Sequence, residues 1–243
     1  MPAPPLTNTF ETGLADGTAI TTGNSGGGAG NAWNTVQGTG GLPAYSTTQV
    51  MHGSLVAKIN HLANNQQSYV NWTGLGSITT DVYWRYYLYL TAFPNVTWLP
   101  VVCLTAAAGV NGRFNINTSG ILVLSQNDTT QKAIGTVPVA LNQWVRIEGH
   151  LFPSTTVSTM EMKMWNTPDD SGAATDSISS VANCVNAANI DRMDFGLSQF
   201  DSGLTIDPWL DDIAVSTAGW IGSSVEIAQP APFARRLGRG AGW

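Results

Sequence analysis

The sequence predicts an all-β protein, a two-sheet antiparallel sandwich, and three observations carry that expectation. Glycine is abundant, at 26 of 243 residues. Apolar residues at the helical i, i+3, i+4, i+7 spacing are hard to find anywhere along the chain. Stretches with two-residue alternation recur instead, separated by turn residues at the spacing of sandwich strands. A hydrophobic content of 43% against 11% charged residues is core enough, at this length, for one large sandwich. The expected division is one domain over residues 1–228 and a short extended C-terminal arm over 229–243.

Thr7 to Glu11 and Thr18 to Thr22 read as short opening strands, parted by Gly13, Asp16 and Gly17. The glycine-rich run from Gly23 to Asn31 lacks the Lys-Ser/Thr ending of a phosphate loop and precedes no helical pattern, so it reads as a surface loop. Ser54 to Ile59 and Ser68 to Trp72 follow as strands. Val82 to Leu90 then alternates cleanly: Val82, Trp84, Tyr86, Leu88 and Leu90 share one face, and Tyr83, Arg85, Tyr87 and Tyr89 the other. The second set is an aromatic stripe that stacks on sugar rings if open, meets another subunit if covered, or packs as core. Tyr83, Tyr87, Tyr89 and Trp98 are accordingly the expected glycan or partner contacts.

Further strands are expected through Leu99 to Leu104, Arg113 to Asn117, Ile121 to Ser125, Gln143 to Leu151, Thr159 to Trp165, Arg192 to Leu197 and Trp209 to Val215. In Thr159 to Trp165 the three methionines fall on one face and Glu161 and Lys163 on the other, core inward and solvent outward. In Trp144 to Leu151, Val145, Ile147 and Leu151 alternate with Trp144, Arg146, Glu148 and His150. Arg146 and Glu148 share the polar face and are placed for cross-strand ion pairing.

Charge is uneven. Residues 1–228 hold seven cations against all sixteen acids, a net of −9, while the arm holds Arg235, Arg236 and Arg239 with no acid. An acidic body argues against a nucleic-acid surface. The start of the chain lacks the basic region and apolar core of an ordinary export signal, and no run reaches the roughly 20 apolar residues of a membrane span. The arm, with Pro230, Pro232, Phe233 and Trp243, cannot build a core and reads as a docking segment. Cys103 and Cys184 neither require nor exclude a disulfide by count, and free thiols are expected.

The order Phe10-Glu11-x-Gly13, His52 to Ala57, Arg85-Tyr86-Tyr87-Leu88, Trp144 to Glu148, Phe195-Gly196 and Leu210 to Val215 resembles the concanavalin A-like, or laminin G-like, jelly-roll superfamily over residues 7–218. The resemblance implies a jelly roll in which calcium ties the first and last strands, with Glu11 and Asp211 or Asp212 as its ligands. The alternative is that both aspartates cap a turn and face solvent. No other cofactor is expected.

The superfamily contains glycoside hydrolases and lyases, and hydrolysis needs two facing carboxylates. None of Glu11, Glu148, Glu161 and Glu226 has a second carboxylate two or four residues away. The pairs Asp169 and Asp170, Asp191 and Asp194, and Asp211 and Asp212 are expected to point to opposite faces of their strands. His52, His61 and His150 show no metal-ligand spacing. The expectation is a protein with no catalytic set.

The Gly/Ala/Thr-rich sandwich and the tail Pro-Ala-Pro-Phe-Ala-Arg-Arg-Leu-Gly-Arg-Gly-Ala-Gly-Trp are similar to structural proteins of tailed bacteriophages with actinobacterial hosts, the minor tail proteins. That resemblance implies a virion protein of tail or capsid surface, assembled in the host cytoplasm. Its sandwich would contact other virion proteins, copies of itself or host-wall glycan, with Phe233, Arg235, Arg236, Arg239 and Trp243 as the docking arm. Two rival classes are a free carbohydrate-binding module, acting through exposed aromatics, and a sandwich hydrolase or lyase.

Overall fold

The computed structural model describes residues 3–39, 41–60, 67–105, 109–126, 130–181, 187–198 and 204–224. The arm residues Phe233, Arg235, Arg236, Arg239 and Trp243 lie outside them, as do His61 and Cys184. The described strands are β1 (Leu6–Asn8), β2 (Thr35–Gly38), β3 (Ala44–Ser46), β4 (Val56–Lys58), β5 (Ser68–Ile78), β6 (Val82–Tyr89), β7 (Trp98–Leu104) and β8 (Val110–Ile116). They continue with β9 (Ile121–Ser125), β10 (Gln131–Pro138), β11 (Trp144–Phe152), β12 (Thr159–Trp165), β13 (Asp176–Val181), β14 (Ile190–Leu197) and β15 (Trp209–Ser216).

Two sheets result. One runs β13-β12-β11-β6-β15-β4-β3, with β1 also on β15; the other runs β10-β9-β8-β7-β14-β5-β2. Every pairing between these strands is antiparallel, as in β11 against β6 and β14 against β7. The core lies between the sheets, where alternation of side chains in each strand delivers one face. Val82, Trp84, Tyr86 and Leu88 of β6, Val145 and Ile147 of β11 and Met160, Met162 and Met164 of β12 all join it. They meet Val101, Cys103 and Phe114 of the other sheet in the same cluster. Trp84 crosses the gap edge-on to Phe114, with ring centroids 4.4 Å apart. It also lies over Gly149, its register partner on β11, where a Cβ would come 2.1 Å from the indole. Burial pushes the Cys103 thiol pKa up, so this free cysteine is held as a small apolar core residue.

Two expectations are corrected at this level. Thr18 to Thr22 forms no strand; Ala19 makes an isolated bridge to Ala44 while Ile20 packs into the core. Trp98 is no surface contact: it is fully buried and its indole N–H donates to the Gly196 carbonyl at 3.1 Å. β7 is buried along its whole length, so alternation there does not separate inside from outside.

Candidate functional site

The outer face of the first sheet carries the polar residues that its strands alternate away from the core, and register lays them out in rows. One row reads Ala214, Arg85, Glu148, Lys163 across β15, β6, β11 and β12; the next reads Asp211, Tyr87, Arg146, Trp165. Many of these charged side chains are buried, including Arg146, Glu148, Asp211 and Asp212. They are covered by chain that crosses the face: the loop following β12, through Pro168 and Asp169, and a strap of residues 219–224 after β15.

The covering chain supplies the partners that buried charge requires. Arg146 donates to the Pro168 carbonyl at 2.6 Å, and its Nε lies 3.1 Å from Glu148 Oε1. The two pair with each other within one strand and are buried, where cross-strand pairing was expected. Glu148 Oε2 accepts the N–H groups of Ile221 and Gly222 at 3.0 and 3.2 Å. Arg85 donates to the Gly222 carbonyl at 2.9 Å, and Ser224 N–H donates to the Tyr87 hydroxyl at 2.8 Å.

The last strand holds the main departure from sequence reasoning. Pairing of β15 with β6 shifts between Asp211 and Ala214, and Asp212 sits there at φ +43°. This extra residue is a β-bulge, which reaims side chains. Asp211 and Asp212 therefore do not point to opposite faces, nor do they face solvent. Both meet His52: its backbone N–H donates to Asp211 at 3.0 Å, and its ring Nδ1 lies 2.6 Å from Asp212 Oδ2. The Asp212 N–H donates back to Asp211 at 2.8 Å.

His52 Nε2 reaches Asp169 at 3.2 Å, the Tyr87 hydroxyl donates to the same carboxylate at 3.1 Å, and the Ser224 hydroxyl donates to Asp212. The Asp212 hydrogen bond, with charge from Asp212 and Asp169, raises the His52 pKa from 6.5 to about 9, against the opposing effect of burial. Burial, reinforced by the adjacent Asp212 charge, raises Asp211 well above the usual carboxylate range. His52, Asp169, Asp212 and Ser224 floor an open cleft of about 740 Å³, lined also by Glu11 and Arg85 among others.

Glu11 lines the same cleft. Its carboxylate accepts the backbone N–H groups of Ser54 and Leu55 and the Ser54 hydroxyl, each at 2.8 Å. Gly53, at φ +67°, has no room for a side chain, because a Cβ would come 2.4 Å from that carboxyl. Asp211 and Asp212 thus hold one end of the segment 52–55, at His52, and Glu11 the other, at Ser54 and Leu55. Each carboxylate is committed to donors of its own, and the protonated His52 already supplies the positive charge between Asp212 and Asp169. This set does not fit calcium, and among the described residues no group of three or more His, Cys, Asp or Glu is disposed around a metal position.

The aromatic stripe does lie on this outer face, largely covered. Tyr87 is buried beside His52, and Tyr89 packs between Trp144 and Trp209 at 5.7 and 5.8 Å. Tyr83, partly exposed, stacks on His150 at 4.4 Å with Trp220 edge-on. Sequence reasoning missed His52, Asp169 and Ser224 as members of one site, since 117 residues separate the first two.

The sequence matches no family model and no curated protein. Solved structures resemble it in fold. Cellulose induced protein, Cip1, is similar at 15% identity and a TM-score of 0.57, over 89% of this chain and 99% of that one. Lectin UEA-II complexed with galactose matches at 8% identity and a TM-score of 0.43, over 76% and 94%. Domain 4 of an extracellular arabinanase from Geobacillus stearothermophilus, in complex with arabinotriose, matches at 12% identity and 0.44, over 86% and 90%. The last two likenesses are too distant to inform the site. The chain is an all-β, two-sheet antiparallel sandwich of the concanavalin A or lectin-like jelly-roll type.

Proposed function

We propose that this protein binds carbohydrate in the His52 cleft. The observation that carries the reading is the cleft floor: donors and acceptors of His52, Asp169, Asp212 and Ser224, backed by the buried Tyr87 hydroxyl, are fixed by one another before any ligand arrives. Pre-ordered polar groups in an open cleft suit a hydroxyl-rich ligand, which is weakly apolar and is recognised by directional hydrogen bonds.

A glycan array probed with the wild type and Asp169→Ala tests this. Asp169 is partly exposed on a loop, so its removal spares the core. Defined glycans bound by the wild type and lost about tenfold or more by the variant are expected, the size of one charge-assisted hydrogen bond. An array without binding, or binding that ignores Asp169, overturns the reading. The basic composition of residues 229–243 favours a second role for the same chain, as a virion subunit whose arm docks on a neighbour while the sandwich meets host glycan.

A further inference from the structure

Farther along the same outer face, beyond the strap, lies a second cleft of about 450 Å³, lined by Arg146, Glu148, Lys163, Trp165, Trp220 and Gly222 among others. Glu148 Oε1 is buried and receives no aligned hydrogen bond; Arg146 Nε is near enough for an ion pair but not oriented to donate. A buried carboxylate oxygen without a donor is costly to keep. Lys163 is the register partner of Glu148 on the next strand, placing the two side chains about 5 Å apart at their Cβ atoms. Its ammonium sits 3.7 Å from the Trp220 ring centroid. Lys58, Arg146 and Arg192 form ion pairs with carboxylates among the described residues, whereas Lys163 sits over a ring.

An acceptor short of a donor therefore stands beside a cation seated over a ring, inside a cleft walled by two tryptophans. Neighbouring hydroxyls of a sugar ring match that pair, one donating to Glu148 and one accepting from Lys163. The strap lines both clefts, and where it passes from one to the other its residues are small: Ser224 lines the first, and Gly222 and Ser223 the second. From β15, which bears Asp212, to β12, which bears Lys163, is three strand spacings, about 14 Å. That span exceeds a single sugar ring.

Resting on the carbohydrate reading above, we propose that the Trp165–Trp220 cleft is a second sugar subsite, and that the ligand is an oligosaccharide lying across residues 222–224 with a ring in each cleft. Calorimetry on the full chain tests it with glucose, xylose and N-acetylglucosamine beside cello-, xylo- and chito-oligosaccharides of up to six units. At least one oligomer series is expected to bind about tenfold or more tighter than its own single sugar. Lys163→Met keeps the stem over Trp220 and removes the donors; Ser223→Trp raises the ridge. Each is expected to bring the oligomer to the affinity of the single sugar and to leave the single sugar unchanged. Equal affinity for single sugars and oligomers, an advantage that survives both substitutions, or no binding of any oligomer overturns the second subsite. Single sugars or array glycans that still depend on Asp169 would leave the first cleft standing in that event.

Discussion

His52 Nδ1 lies 2.6 Å from Asp212 Oδ2, and the other ring nitrogen lies 3.2 Å from Asp169. One imidazolium thereby ties the bulge of β15 to the loop after β12.

That tie makes stability depend on pH with a definite sign. The His52 pKa is raised from 6.5 to about 9 by Asp212 and Asp169, so its contribution is fully present below pH 6.5 and is lost as pH rises through 9. Asp211, Asp212, Asp169 and Tyr87 are the titratable groups facing the ring. Denaturation of the wild type and His52→Gln at pH 6 and pH 10 should show a wild-type advantage of about 1–2 kcal/mol at the lower pH, discounted for solvent screening. The gap should close at the higher pH. A gap that does not change with pH would show that the ring carries no charge in the folded protein.

Asp212 occupies left-handed backbone at φ +43°, which asparagine and glycine accept and β-branched residues resist. Asp212→Val should cost about 3–5 kcal/mol, combining backbone strain with an unpaired His52. Asp212→Asn keeps the backbone and a hydrogen-bond acceptor and should cost less than half as much. Urea melts of the two variants compare them, and equal losses would remove the strain from the account.

Gly149 faces the Trp84 indole with no space for a methyl group. Gly149→Ala should lose about 1–3 kcal/mol through overpacking, measured by thermal melting. Pairing it with Trp84→Leu should recover part of that loss, since the two sites share one contact.

What the sequence revealed follows from where strands lie in their sheets. The inner strands β6, β11 and β12 alternate because one face meets the core, and their inward sets were legible residue by residue. The four strands without a sequence signal, β2, β3, β10 and β13, are the outermost members of the two sheets. Edge strands are short or polar and carry little periodicity, as Gln131–Pro138 illustrates with no buried residue. The site was less legible for a different reason. Period-two reasoning sends Asp211 and Asp212 to opposite faces, and a single inserted residue cancels it. The pairing of His52 with Asp169 depends on a loop and leaves no local pattern.

Calcium has no part in holding residues 52–55 if Glu11 and the two aspartates are engaged as described. Melting temperatures in millimolar calcium and in chelator should agree. A rise with calcium alone would restore Glu11 and Asp211 or Asp212 as its ligands.

The virion reading concerns residues 229–243. Light scattering of the full chain beside a chain ended at Ala228 should find an oligomer that becomes a folded monomer on truncation. Monomers in both cases would withdraw support from a docking arm and leave the carbohydrate reading unaffected.

The strap that closes the outer face also decides what a ligand must compete with. Ser224 of the strap donates to Asp212 in the cleft floor, so a sugar hydroxyl that reaches this carboxylate displaces a donor the chain already supplies. An intramolecular donor acts at a high effective concentration. Affinity at this carboxylate is then a net quantity, the ligand's hydrogen bond less the one it replaces, and Ser224→Ala would separate the two.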